Sequence, residues 1–180
     1  KVEHYLPAFE AAIAEHNKEI QAIIDNAEAP TFDNTIAALD YSGETLSKVA
    51  GVFFNMMAAN TSEELQKVNE QVGPMMATHS DNVSMNAKLF EKIKAVYDAK
   101  DSQKYTGEQL ALLEKTYNKF VRSGALLDAA KQEELRKVNA ELTKVESKFD
   151  ANLLKESKAY QLVIDKEENL KGLPQGEIEK

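Results

Sequence analysis

Leu6, Phe9, Ile13, His16, Ile20 and Ile23 recur at alternating steps of three and four residues, one stripe along a packed helix. Pro7 suits the first turn of that helix, where a missing N–H costs nothing, and the helix is predicted to end near Asn26. A second stripe, Ile36, Leu39, Gly43, Leu46, Ala50, Phe53 and Met57, predicts a helix starting after Asp33. Between the two, Pro30 pushes Ala29 out of the helical region, and Asp33 or Asn34 offers a capping oxygen. Gly43 lies on the stripe itself. A glycine there costs about 1 kcal/mol of helix propensity, which implies close approach by a neighbour.

The third stripe is the longest: Leu65, Val68, Val72, Met75, His79, Val83, Asn86, Phe90, Ile93 and Tyr97. Asn60-Thr61-Ser62 caps its start. It keeps phase across Pro74, so a kinked single helix is expected. A polar stretch from Asp101 to Tyr105 follows, and Thr106 caps a fourth helix carrying Leu110, Leu113, Tyr117 and Phe120, closed by Gly124 as a left-handed cap. Asp128 caps a fifth, with Leu135, Val138, Leu142, Val145, Phe149 and Leu153. The period then changes. In Tyr160–Asp165, Tyr160, Leu162 and Ile164 alternate with Gln161, Val163 and Asp165, which predicts one short strand. Its partner is expected outside these residues or in another copy of the chain, because a lone strand leaves its backbone unpaired. The predicted class is all-α: an antiparallel bundle of about five long helices over residues 1–158, then a strand and linker over 159–180.

Composition changes this picture little. The 180 residues suffice for one domain or for part of a larger protein. The net charge of −8 argues against nucleic acid or an anionic membrane as partner. There is no cysteine, hence no disulfide framework and no thiolate site. No apolar run is long enough to span a bilayer. The chain opens at Lys1 rather than Met, so a missing start, and with it a missing targeting signal, is expected.

The usual catalytic patterns are absent. None of His4, His16 and His79 starts a His-Glu-x-x-His motif, and there is no Glu-x-x-His pair, phosphate loop or Gly-x-Ser-x-Gly elbow. His16 and His79 lie on apolar stripes. They read as a metal pair or acid/base on one view, and as hydrogen-bonded interior histidines on the other; no third ligand is evident. Arg122, near a helix C-terminus, favours anchoring of the following turn over substrate binding. Met56, Met57, Met75 and Met76 read as core filling or a peptide groove. Tyr97, Tyr105 and Tyr117 read as bundle packing or a channel face. No catalytic, cofactor-binding or metal residue is assigned to this chain.

An ordered set of segments carries a resemblance. "EHYLPAFEAAIAEHNKEIQAI" is followed by "NAEAPTFDNTIAALDYSGETLSKVAGVFFNM", "GPMMATHSDNVSMNAKLFEKIKAVY", "EQLALLEKTYNKFVRSGALL", "LRKVNAELTKVESKFDANLL" and "YQLVIDKEENLKGLP". Together they resemble the start of the thimet oligopeptidase family of zinc metallopeptidases, most closely its bacterial peptidyl-dipeptidase and oligopeptidase A branch. The resemblance implies a nearly all-helical, two-lobed enzyme whose channel admits only short peptides. It implies zinc bound by a His-Glu-x-x-His motif far downstream, in a catalytic part that would be this region's main partner. It also implies a compartment in the cytoplasm or periplasm of a bacterium. Cleavage would release C-terminal dipeptides, or fall internally as in oligopeptidase A. A free-standing helical interaction module is the reading without such a parent. None of the zinc ligands, the general base or the transition-state stabiliser falls on a residue of this chain.

Overall fold

The computed structural model describes residues 1–178, with every side chain except that of Glu167. They are helical, and no strand occurs among them. Helix α1 spans Tyr5–Asp25. A π-helical turn, Phe32–Ala37, runs into the short α2, Ala38–Tyr41. Helices α3 (Glu44–Ala59), α4 (Glu63–Ser84), α5 (Ala87–Asp98), α6 (Gly107–Arg122), α7 (Ala129–Ala159) and α8 (Gln175–Ile178) follow. Two compact units are present, Lys1–Lys144 and Val145–Lys180, and α7 begins in the first and ends in the second.

Most predicted helix ends are where local chemistry puts them. Asn26 ends α1 in an extended conformation. The Ser62 hydroxyl accepts the Leu65 N–H, Thr106 and Gln109 exchange bonds as a capping box, and Asp128 accepts the Lys131 N–H. Gly124, at φ 96°, closes α6. At Phe32 the cap is Thr31 rather than Asp33 or Asn34. Its hydroxyl accepts the Asn34 N–H while the Asn34 side chain accepts the Thr31 N–H. Asn34 Nδ2 also donates to the Ala29 carbonyl, which pins the Pro30 turn.

Two expected helices are each broken in two. The second stops at Tyr41, and Gly43 is no mid-helix residue. At φ 73° it makes the left-handed turn from which α3 starts. The third passes through Pro74 uninterrupted and breaks instead at Met85–Asn86, where Asn86 Oδ1 accepts the Leu89 N–H at 3.0 Å and caps α5. Asn86 supplies the cap that Pro74 has no means to supply.

The first unit is built on α1. The N-terminal half of α1 contributes Phe9 and Ala12 to a cluster with Leu46 and Phe53 of α3 and Leu65 and Val72 of α4. Its C-terminal half contributes Ile20 and Ile23 to a cluster with Ile36, with Leu89, Phe90, Ile93 and Val96 of α5, and with Leu113 and Phe120 of α6. Lys92 of α5 reaches back and donates to the Asn26 carbonyl, one of the acceptors left free at the end of α1.

Helix α7 departs from the expected bundle packing, since none of its residues is buried. In the first unit it meets α4 with polar side chains. Arg136 donates to Asn82, Asn139 donates to the buried Asp81, and the Thr143 methyl lies near Gly73. Two residues along an α-helix is about 200° of rotation. The apolar positions Val138 and Leu142 therefore point away from α4, and Val138 is 61% exposed. In the second unit Val145, Phe149 and Leu153 are likewise exposed, Phe149 at 65%.

The expected strand at Tyr160–Asp165 is corrected. Its first residue closes α7 with a helical bond, Tyr160 N–H to Glu156 O, and Gln161–Asp165 has no ladder. Tyr160, Leu162 and Val163 are exposed. The period-two pattern is present, but no strand among the described residues offers it a partner. A 3-10 turn at Glu167–Leu170 and the short α8 follow; Glu179 and Lys180, the end of the predicted linker, lie outside the described residues.

Candidate functional site

His16 is carried by α1 between Ala12 and Ile20, at the junction of the two apolar clusters. His79 reaches it from α4. His79 Nε2 lies 2.9 Å from His16 Nδ1, and the rings meet edge to face with centroids 4.9 Å apart. The other nitrogen of His16 lies 3.1 Å from the Ser42 hydroxyl, which itself donates to the Leu39 carbonyl at 2.7 Å. The turn that presents Ser42 is fixed by Gly43, whose N–H donates to Glu19 Oε2 at 2.7 Å. A side-chain carbon on Gly43 would stand 3.0 Å from the His16 ring. Helices α1 and α4 and the Ser42–Gly43 turn thus converge on one polar network inside an apolar seam.

Burial lowers the pKa of both histidines. For His16 the Glu19 carboxylate, one turn further along α1, opposes that effect. For His79 the neighbouring His16 adds to it. Burial therefore favours the neutral form of both rings. The interior hydrogen-bonded reading of the two histidines is what the geometry shows. They bind each other, and among the described residues no group of three or more His, Cys, Asp or Glu side chains converges to hold a metal ion. This donor set does not fit a zinc cage. Beside the pair, Ile13, Asn17, Pro74, Met75 and Asn82 line only a shallow, open depression.

Most of the methionine and tyrosine candidates pack against the two apolar clusters. Met57, Met75 and Met76 lie against the α3–α4 cluster, while Met56 is partly exposed. Tyr97 and Tyr117 stack at 3.9 Å, and Tyr105 meets Phe32 at 5.5 Å, all at the edge of the α5–α6 cluster. Arg122 is exposed in the last turn of α6. The turn after it is held by Gly124 and by Gln132, whose amide donates to the Gly124 carbonyl. His4 is exposed at the start of α1. Sequence reasoning does not reach Ser42, and it sets the His16-x-x-Glu19 spacing aside as a common coincidence. The spacing His16-x-x-Glu19 puts both on one helical face, and that was the available signal.

Comparison with known proteins follows the same chain order. Residues 9–132 match the family model "Neurolysin/Thimet oligopeptidase, N-terminal domain". The chain is 37% identical over 175 residues to the dipeptidyl carboxypeptidases of Escherichia coli and Salmonella typhimurium, covering 97% of this chain and 26% of each relative. It is 25% identical over 171 residues to a probable cytosolic oligopeptidase A of Arabidopsis thaliana, covering 95% of this chain and 24% of that protein. The chain thus spans about a quarter of the length of these curated relatives. With more than half of its residues matched by the family model, this chain belongs to the neurolysin/thimet oligopeptidase family, whose N-terminal domain it carries.

Proposed function

We propose that this chain is the N-terminal helical region of a metallopeptidase that acts on short peptides and releases C-terminal dipeptides. The observation that carries the reading is the 37% identity to dipeptidyl carboxypeptidases across nearly all of the chain, against 25% for an oligopeptidase A. In this reading residues 1–158 form part of one lobe and wall the substrate channel, which excludes folded proteins. Residues 159–180 lead into the catalytic part. Zinc and its His-Glu-x-x-His ligands belong to that part in this reading, which agrees with the lack of a converging group of three or more potential ligands among the described residues. There zinc would supply Lewis-acid polarisation of the scissile carbonyl.

The outward apolar stripe of α7 supports the same reading. Val138 and Leu142 in the first unit, and Val145, Phe149 and Leu153 in the second, are exposed, and uncovered apolar positions of that kind mark an interaction surface. The partner is the remaining part of the polypeptide, as in relatives some four times as long. An endopeptidase of the oligopeptidase A type is the second reading, favoured by the alignment of 95% of the chain with such a protein.

Extending the reading frame is the first test, and a downstream His-Glu-x-x-His is expected. Product analysis of the whole protein on a blocked oligopeptide separates the two readings: stepwise dipeptide release from the C-terminus supports the first, internal cleavage the second. The 180-residue chain alone is expected to show no peptidase activity and no stoichiometric zinc. One tightly held zinc per chain in elemental analysis would overturn the assignment of the metal to the downstream part.

A further inference from the structure

We propose that the His16–His79 contact is an acid-labile clasp between α1 and α4. It stays closed while the two imidazoles hold at most one extra proton between them, and it opens when each holds its own. The proton arrangement follows from the bonds around the pair. The Leu39 carbonyl takes the Ser42 hydroxyl proton, so Ser42 Oγ accepts from His16 Nε2–H. Neutral His16 then presents a lone pair at Nδ1, and His79 donates to it from Nε2.

One added proton is accommodated. On His79 Nδ1 it leaves the shared bond intact; on His16 Nδ1 it lets His79 accept through its other tautomer. A second added proton places an N–H on both facing nitrogens, which lie 2.9 Å apart. The two charged rings then repel across a contact that has lost its acceptor. Titration belongs to the pair rather than to either residue.

Among the charges around the pair, the Glu19 carboxylate favours a proton on His16, and the others are engaged elsewhere. From α1, Glu19 faces His16 but one of its oxygens is held by Gly43, and the exposed Glu15 accepts from Thr45. At the start of α3, Glu44 faces solvent and pairs with Lys48. From α4, Asp81 is bonded to Asn139, and from α7, Arg136 is bonded to Asn82. Ile13, Asn17, Pro74 and Met75, around His79, are uncharged. Each ring takes its proton less readily in the folded chain than in the unfolded one. The clasp therefore contributes fully above the ordinary histidine value near 6.5, and its contribution is lost as the pH falls below that value.

The test compares urea unfolding of this chain with that of its H16Q/H79Q variant between pH 7.5 and 5. The wild-type unfolding constant is expected to rise more steeply with acid, by up to one proton per histidine, while the variant keeps only the carboxylate slope. Nitrogen-detected NMR of the two imidazoles, in the folded chain and in urea, decides independently should the variant fail to fold. Expected are two Nε2–H tautomers at neutral pH and folded-state midpoints below those in urea. Equal acid slopes, or imidazoles titrating together at the same pH in both states, would overturn the clasp.

Discussion

Gly43 and Gly51 differ by eight positions and make opposite demands. Gly43 sits at φ 73°, with the His16 ring where its Cβ would go. A left-handed L-residue costs roughly 1–2 kcal/mol before any clash. Gly43→Ala is therefore expected to lower the urea midpoint by at least that equivalent, and Gly43→Leu by more. Gly51 is exposed inside α3 with nothing near a prospective Cβ. Gly51→Ala is expected to raise stability by about 0.5–1 kcal/mol. If both substitutions shift the midpoint in the same direction, the left-handed turn is misplaced. The close approach at Gly43 was legible from its place on an apolar stripe. Its positive φ was not, because a count of three and four carries no information on the sign of a dihedral.

Elements were legible where a side chain declares an end. Ser62, Thr106, Asp128 and Gly124 all do so, by an oxygen at an N-cap or a left-handed glycine. The break at Asn86 was hidden because α4 and α5 keep their apolar residues in phase across it. Periodicity reports which face is apolar and is silent on whether the axis turns between faces. Asn86→Ala is expected to cost about 1 kcal/mol through loss of the cap, and a thermal melt measures it. The histidine network was half legible: two stripe positions were named, but the Ser42 hydroxyl reaches them only through a turn that the pattern did not show. On α7 the stripe was read correctly and its burial was not, since amphipathicity says that a face needs cover without saying what supplies it. Leu142→Glu is accordingly expected to leave the unfolding midpoint of this chain within about 0.5 kcal/mol. Leu113→Ala, fully buried in α6, is expected to cost about 2–5 kcal/mol. Amide exchange at Leu162 and Ile164 should be nearly unprotected, and strong protection there would reveal a partner for the extended segment.

At the scale of the molecule, the first unit has two apolar clusters, and α1 contributes buried residues to both. Residues 9 and 12 serve one cluster and residues 20 and 23 the other, with the histidine pair between them. That sharing has a consequence for how the chain is made. During translation α1 emerges before the other helices of the first unit, and Phe120, the last buried member of the cluster that α1 enters, is still roughly a hundred residues away, or about 5–20 s at ordinary elongation rates. Until then the cluster at the C-terminal half of α1 lacks Leu113 and Phe120, and that half of the helix is more open to nascent-chain chaperones and to proteases. Ribosome-stalled chains ending before α6 should be nicked by trypsin at Lys18, and chains in which α6 has cleared the exit tunnel should resist.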